Sequence, residues 1–266
     1  MRRAELFFAP RKGRHGLENV AKFLKPMNAN RITLPALLAL GGGFVFVVGM
    51  LLSAADFEGF SGDRYAITNH FISELGWKRI SPSAHFFNGG LVICCLAYVP
   101  MMWRLGRQSR TRLGDVAMIP GFVMLGAGAA VGLLPLDYLK AHLIAAGIFF
   151  WFSLVTAVLF TLAFLPRWNR FPSRGIAVVG GIASMSFLIF LIFPKESAIR
   201  FLRNPEGFER PLFWGLVILE WSVLFSVYLW GLTAVFVLWF RERSKLESAP
   251  CPGAESVEPR AGRSGG

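Results

Sequence analysis

Six apolar runs, each reaching the roughly 18 residues that cross a bilayer as a helix, dominate this chain: Thr33–Ala55, Ser83–Trp103, Val116–Leu134, Ala141–Leu165, Ile176–Phe193 and Leu212–Phe240. Hydrocarbon offers no hydrogen bonds, so segments of this kind close their backbone N–H and C=O groups internally, as helices. The expected fold is therefore all-α, an integral membrane bundle of six transmembrane helices. It fills residues 32–241, between a basic segment at 1–31 and a tail at 242–266 rich in Ser, Pro, Gly, Glu and Arg. The tail composition is that of a disordered segment. In the basic segment Leu17, Val20, Ala21 and Leu24 follow helical spacing. That stretch reads either as a short helix lying on an anionic leaflet or as a basic arm that only sets orientation.

The charges sit between the runs. Only 17% of residues are charged, against about 25% in soluble domains. The net charge of +12 is dispersed among short loops rather than gathered into a face that could follow phosphates, which argues against a nucleic-acid partner. Six spans put both termini on one side. The termini and the loops 104–114 and 166–174 hold 20 of the 28 Lys and Arg; the other three loops hold 8, balanced by 8 acids. Lysine and arginine are retained on the cytoplasmic side, so both termini are expected in the cytoplasm, in a cell (inner) membrane protein. Ser53-Ala54-Ala55 resembles a small-residue cleavage site, but the first run is too long for the apolar core of a signal peptide.

Small residues mark the helices expected to pack closely. Gly128 and Gly132 form a GxxxG in the third run, beside Gly121, Gly126 and Ala129; Gly41-Gly42-Gly43, Gly49 and Gly180-Gly181 recur in the first and fifth. Such positions let backbones approach in lipid. The three cysteines, Cys94, Cys95 and Cys251, form neither a disulfide framework nor a CxxC motif and read as small apolar fillers.

The polar residues that need explaining fall on the expected non-cytoplasmic side. The densest stretch is Asn69-His70-Phe71-Ile72-Ser73-Glu74-Leu75-Gly76, running on through Pro82, His85 and Asn88. Read as a helical turn, it sets His70, Ser73, Glu74 and Trp77 on one face. Ser81-Pro82 then has the form of an N-cap followed by proline at the first helical position. Asp137, Lys140 and His142 lie between the third and fourth runs, and the charged loop 195–210 ends in Gly207-Phe208-Glu209-Arg210. Glu220 stands eight residues past Leu212, about 12 Å into a helix begun there. A lone carboxylate at that depth costs about 3 kcal/mol, so it is expected to face the bundle interior beside Leu216 and Leu224, bonded to a histidine or Asn88.

These residues suggest an outer pocket lined by His70, Ser73, Glu74, His85, Asn88, Asp137, His142, Arg210 and Glu220, engaging a lipid headgroup or a small ligand. The partners expected are membrane lipids, with a small molecule as an alternative occupant and no cofactor. Three other chemistries compete. His70, His85 and His142 number enough for a catalytic zinc, giving a membrane-embedded lipid hydrolase, but no HExxH spacing is present. Ser73 with a histidine and Asp137 would form a triad, without the GxSxG setting. A small transporter needs a polar path to both sides, and the cytoplasmic halves of the runs supply almost no ionisable residues.

The order of Ile72-Ser73-Glu74-Leu75-Gly76, Pro82, Phe87-Asn88, Gly132-Leu133-Leu134-Pro135-Leu136-Asp137 with His142, and Gly207-Phe208-Glu209-Arg210 resembles an uncharacterised family of six-helix bacterial and archaeal membrane proteins, a domain of unknown function. The resemblance covers about residues 33–240. It implies a six-span bundle with polar motifs gathered at its outer face and no established activity. The first string is more distantly similar to the eukaryotic DRAM and FGF-receptor-activating-protein family, where Asp-x stands in place of Glu74-Leu75. That likeness implies an association with lipid remodelling and membrane-stress responses.

Overall fold

The computed structural model of the protein describes residues 34–60, 62–167 and 173–247. By contacts the chain divides into Ile32–Phe240 and a second unit made of Met1–Arg31 and Arg241–Gly266. The expectations for the 1–31 segment and for most of the 242–266 tail lie outside the described residues.

Every long element is a helix: α1 (Leu34–Ala55), α2 (Ala84–Ser109), α3 (Arg112–Leu133), α4 (Leu139–Phe164), α5 (Ser173–Ile192), the short α6 (Glu196–Arg203) and α7 (Gly215–Glu247). Six of them are long and apolar enough to cross a membrane, and the described residues contain no strand. Their outward faces are apolar, with Leu34, Phe44, Leu51, Ile119, Ile144 and Phe225 all exposed. An apolar surface of that extent is stable only against lipid.

Helices α1 to α5 pack each on the next in chain order. Helix α7 closes the ring: Tyr228 donates its hydroxyl to the Gly43 carbonyl of α1 at 3.0 Å, and Trp230 lies against Gly180 of α5. The GxxxG of α3 faces α2, because a Cβ at Gly128 would meet Cys95 Sγ at 2.8 Å and one at Gly132 would meet the Asn88 carbonyl oxygen at 2.7 Å. The other glycines do not all serve packing. A Cβ at Gly41, Gly126 or Gly181 would meet nothing.

One helix of the ring is short at one end. Phe150 and Phe190 pack with ring centroids 4.4 Å apart. Phe150 lies about three turns into α4, whereas Phe190 lies in the last turn of α5, so α5 stops about 13 Å short of the start of α4. Beyond its end runs α6, whose Phe201 is buried while Arg200 and Arg203 are exposed. That pattern suits a helix lying at a membrane interface, and the charged composition of the loop conceals it in the sequence.

At the same end of the bundle the 56–83 connection folds back onto the helices. Phe57, Ile72, Leu75, Trp77 and Ile80 join Phe201 and Trp214 in one buried cluster, and the Trp214 N–H donates to the Thr68 carbonyl at 2.8 Å. Ser81-Pro82 does not start the helix as its sequence suggests. The helix begins at Ala84 after Ser83, while Ser81 is fully buried and donates its hydroxyl to the Ser53 carbonyl at 3.3 Å.

Candidate functional site

The polar stretch is built around a single 3-10 turn, Ile72–Gly76. Glu74 sits in it with no solvent exposure, and both of its oxygens are bonded from within the protein. Its Oε1 takes the Phe71 N–H at 2.8 Å and Arg210 Nη1 at 3.0 Å, while Oε2 takes Arg210 Nη2 at 2.5 Å. Arg210 Nη1 also donates to the Asn69 carbonyl at 2.9 Å, and the guanidinium lies 4.4 Å over the Phe201 ring. A two-pronged arginine–carboxylate pair of this kind is among the stronger charge-assisted contacts. It joins the turn to the loop after α6 and neutralises a charge that could not otherwise be buried.

Glu220 supports the same turn from α7. Its Oε2 accepts the Ile72 N–H at 2.8 Å, satisfying a backbone donor that the 3-10 turn leaves over. Because α7 begins at Gly215, the carboxylate lies about 7.5 Å into the helix rather than 12 Å. It does face inward with Leu216 and Leu224. Its bonded partner is a main-chain N–H, not the histidine or Asn88 expected. Tyr65 adds to this layer, donating its hydroxyl to the Phe71 carbonyl at 3.1 Å. Burial first, then the neighbouring Glu220 and Glu74, push the Tyr65 phenol well above its ordinary value, which keeps it a donor.

Beneath the turn lies a cavity of about 470 Å³ bounded by all six spanning helices and α6. Most of its wall is apolar, with Phe46, Leu91, Phe149, Phe187, Val223 and Val227 among the lining residues. Four lining side chains, Ser73, His142, Lys195 and Glu220, gather polar atoms toward the end covered by the Ile72–Gly76 turn. His142 is buried and its Nδ1 bonds the Leu134 carbonyl at 2.8 Å, so that nitrogen carries the proton and Nε2 is left as an acceptor. Lys195 directs its ammonium to the Phe190 carbonyl, 4.3 Å over the Phe190 ring. Burial holds it below the ordinary lysine value.

The family model described as a protein of unknown function (DUF998) matches residues 40–237, which spans α1 to α7 and contains every residue of the cavity wall. The chain belongs to the DUF998 family. Comparison with curated proteins and with solved structures found no match.

In this DUF998 protein the residues singled out from sequence divide three ways. Ser73, His142 and Glu220 line the cavity. Glu74, Arg210 and Asn88 hold its cover in place, Asn88 by donating Nδ2 to the Gly76 carbonyl at 2.9 Å. His70, His85 and Asp137 lie apart from it. His70 precedes the 3-10 turn instead of sharing a helical face with Glu74. It is fully buried between the Ala66 N–H, which it accepts at Nδ1 at 3.2 Å, and Asp63 Oδ2, 2.8 Å from Nε2, an arrangement that sets the Nε2–H tautomer. His85 is exposed against the Phe86 ring. Asp137 is exposed and accepts the Lys78 N–H at 3.2 Å.

The three histidines thus have three separate environments, and among the described residues no cluster of His, Cys, Asp and Glu has the form of a metal site. Asp63 and Tyr65 were not singled out from sequence, and Lys195 entered only as part of the charged loop 195–210, not as a pocket residue. Lys195 had one signal, a lone cation immediately past a span. The multi-pass membrane character follows from the six apolar helices and the family match together.

Proposed function

We propose that the protein binds a membrane lipid inside the bundle, its acyl chain in the apolar cavity and its headgroup against Ser73, His142, Lys195 and Glu220. The observation that carries this reading is the placement of charge in the cavity: an apolar chamber inside the spans whose lysine, histidine and glutamate collect at one end, while the Ser153, Thr156 and Tyr228 hydroxyls elsewhere in the wall are spent on main-chain carbonyls. Ligand pockets of several hundred Å³ with a small number of placed polar groups are the usual form of small-molecule sites, and ionisable side chains kept within spans commonly mark one. Here Lys195 supplies a cation for a phosphate. Glu220 Oε1 and His142 Nε2 offer acceptors for an amine or hydroxyl. The Ser73 hydroxyl serves either role.

The charge distribution of the loops supports a cell-membrane protein with 1–31 and 242–266 in the cytoplasm and the headgroup end on the opposite side. The distant likeness of Ile72–Gly76 to the DRAM and FGF-receptor-activating-protein family points the same way, through that family's association with lipids. Purification through repeated detergent washes, followed by native mass spectrometry, tests the reading. Wild-type protein should retain phospholipid and Lys195→Gln should retain less. Wild-type protein that emerges free of lipid would remove the proposal.

A further inference from the structure

Of the side chains that line the cavity, nearly all are buried or half-buried. Leu143 of α4, at 48% exposure, and Ile199 of α6, at 46%, are the exposed ones. Both stand beside the gap left where α5 stops short of α4, which is where the cavity lining comes to the surface. The rest of that rim is Ala146 and Gly147 on α4, Leu191 on α5 and Leu202 on α6. All are apolar or small, and Lys195, between Leu191 and Ile199, is the charged side chain beside them. Below it the Phe150–Phe190 ring pair closes α4 against α5. On the opposite side the cover is shut by the Glu74–Arg210 pair and the Glu220–Ile72 bond.

We infer that this gap is a lateral portal through which a phosphate-bearing lipid passes from the leaflet on the headgroup side into the cavity, its phosphate taken by Lys195 at the rim. The inference rests on the lipid-binding reading above and adds the route and the headgroup charge. An apolar rim gives an acyl chain continuous hydrocarbon contact from bilayer to chamber, with no polar barrier to cross. The ammonium at the end of α5 meets the phosphate at the depth where phosphates lie, and the stem of Lys195 lets it reach there from an apolar wall. Gly147 matters because a Cβ there would meet no atom within 4 Å. A side chain can therefore start from that position, on the wall of the gap, without its first atom displacing a neighbour.

The test uses the full chain in phosphatidylethanolamine vesicles containing phosphatidylglycerol with a photoreactive diazirine in mid-chain, and crosslinks are mapped by mass spectrometry. In wild type, crosslinks should appear on the interior residues Cys95, Met102 and Val223 as well as on the outward-facing Ile182 and Phe225. Gly147→Trp, and independently Ile199→Trp, should drop the interior crosslinks to background and leave the outward ones, with the thermal melt unchanged. Interior crosslinks that persist in both variants would overturn the portal while leaving the lipid-binding reading standing. Wild-type protein crosslinked only on its outward faces would overturn both. Interior labelling by a neutral diazirine diacylglycerol equal to that by phosphatidylglycerol would overturn the role of Lys195 alone.

Discussion

Glu220 of α7 and Ile72 of the 3-10 turn meet across 148 residues of sequence, the carboxylate accepting the main-chain N–H at 2.8 Å. One oxygen thereby holds the cover of the cavity while the other is left toward the chamber. Glu220→Gln keeps an acceptor for Ile72, so its melting temperature should stay near wild type while lipid retention changes. Glu220→Leu strands a buried N–H, a loss of about 1–3 kcal/mol. Thermal melts in detergent, run beside retained-lipid analysis, separate the two effects. Equal melts for both variants would show that the bond contributes nothing.

Arg210→Ala leaves the fully buried Glu74 carboxylate without its cation, which should destabilise by about 3–5 kcal/mol. Arg210→Lys keeps the charge but loses the fork that spans both carboxylate oxygens, so it should fall between wild type and the alanine variant. Loss of stability that the double variant Glu74→Gln/Arg210→Met largely restores would identify the uncompensated charge as the cause.

Gly132→Leu should be far more damaging than Gly126→Leu in the same helix, since even its Cβ would press on the Asn88 carbonyl oxygen at 2.7 Å and on Val92. Overpacking of this kind costs about 1–3 kcal/mol. Gly126→Leu, where a Cβ meets nothing, should be silent. Side-by-side melts of the two variants decide the matter.

Lipid retention should depend on pH through Lys195. The ammonium attracts phosphate only while protonated, and burial places its titration below the ordinary value of 10.5. Retention is therefore full at lower pH and is lost as pH rises through that lowered value. Lys195→Arg stays charged throughout and should flatten the profile.

Orientation can be read from impermeant thiol labelling of intact cells in a Cys251→Ser background. Cysteine at exposed Lys140 should react from outside, and cysteine at exposed Arg112 should react only after permeabilisation. The reverse pattern would invert the assignment made from loop charge.

The six spans were legible because length and apolarity act locally: every helix boundary falls within a few residues of the end of an apolar run, apart from the α2 and α7 ends, which extend into charged sequence. Ser73, His142 and Glu220 were legible as unusual polar residues at one end. The division of labour among them was not. Glu74 looked like a ligand group until Arg210, 136 residues away, was seen to occupy both of its oxygens. His70 looked like its neighbour on a helix, but the backbone turns before the 3-10 segment and sends the ring to Asp63. The apolar depth of the cavity had no signature, although the polar residues at its end did. The gap at its end depends on α5 ending early relative to α4, and the relative height of two helices is set by which side chains meet, here Phe150 and Phe190, rather than by either sequence alone.

Helices α2 and α3 are joined by only two residues, Arg110 in a left-handed conformation at φ 50° and Thr111, whose hydroxyl caps the Gly114 N–H at 3.1 Å. A connection so short has an order of events built into it. The link is short enough to hold the two helices side by side, so the seam of Gly128 and Gly132 against Cys95 and Asn88 needs nothing from α4 in order to close. Of those α2 residues Cys95 lies in the chamber wall, so a seam that can close early also fixes one side of the chamber for the helices that follow.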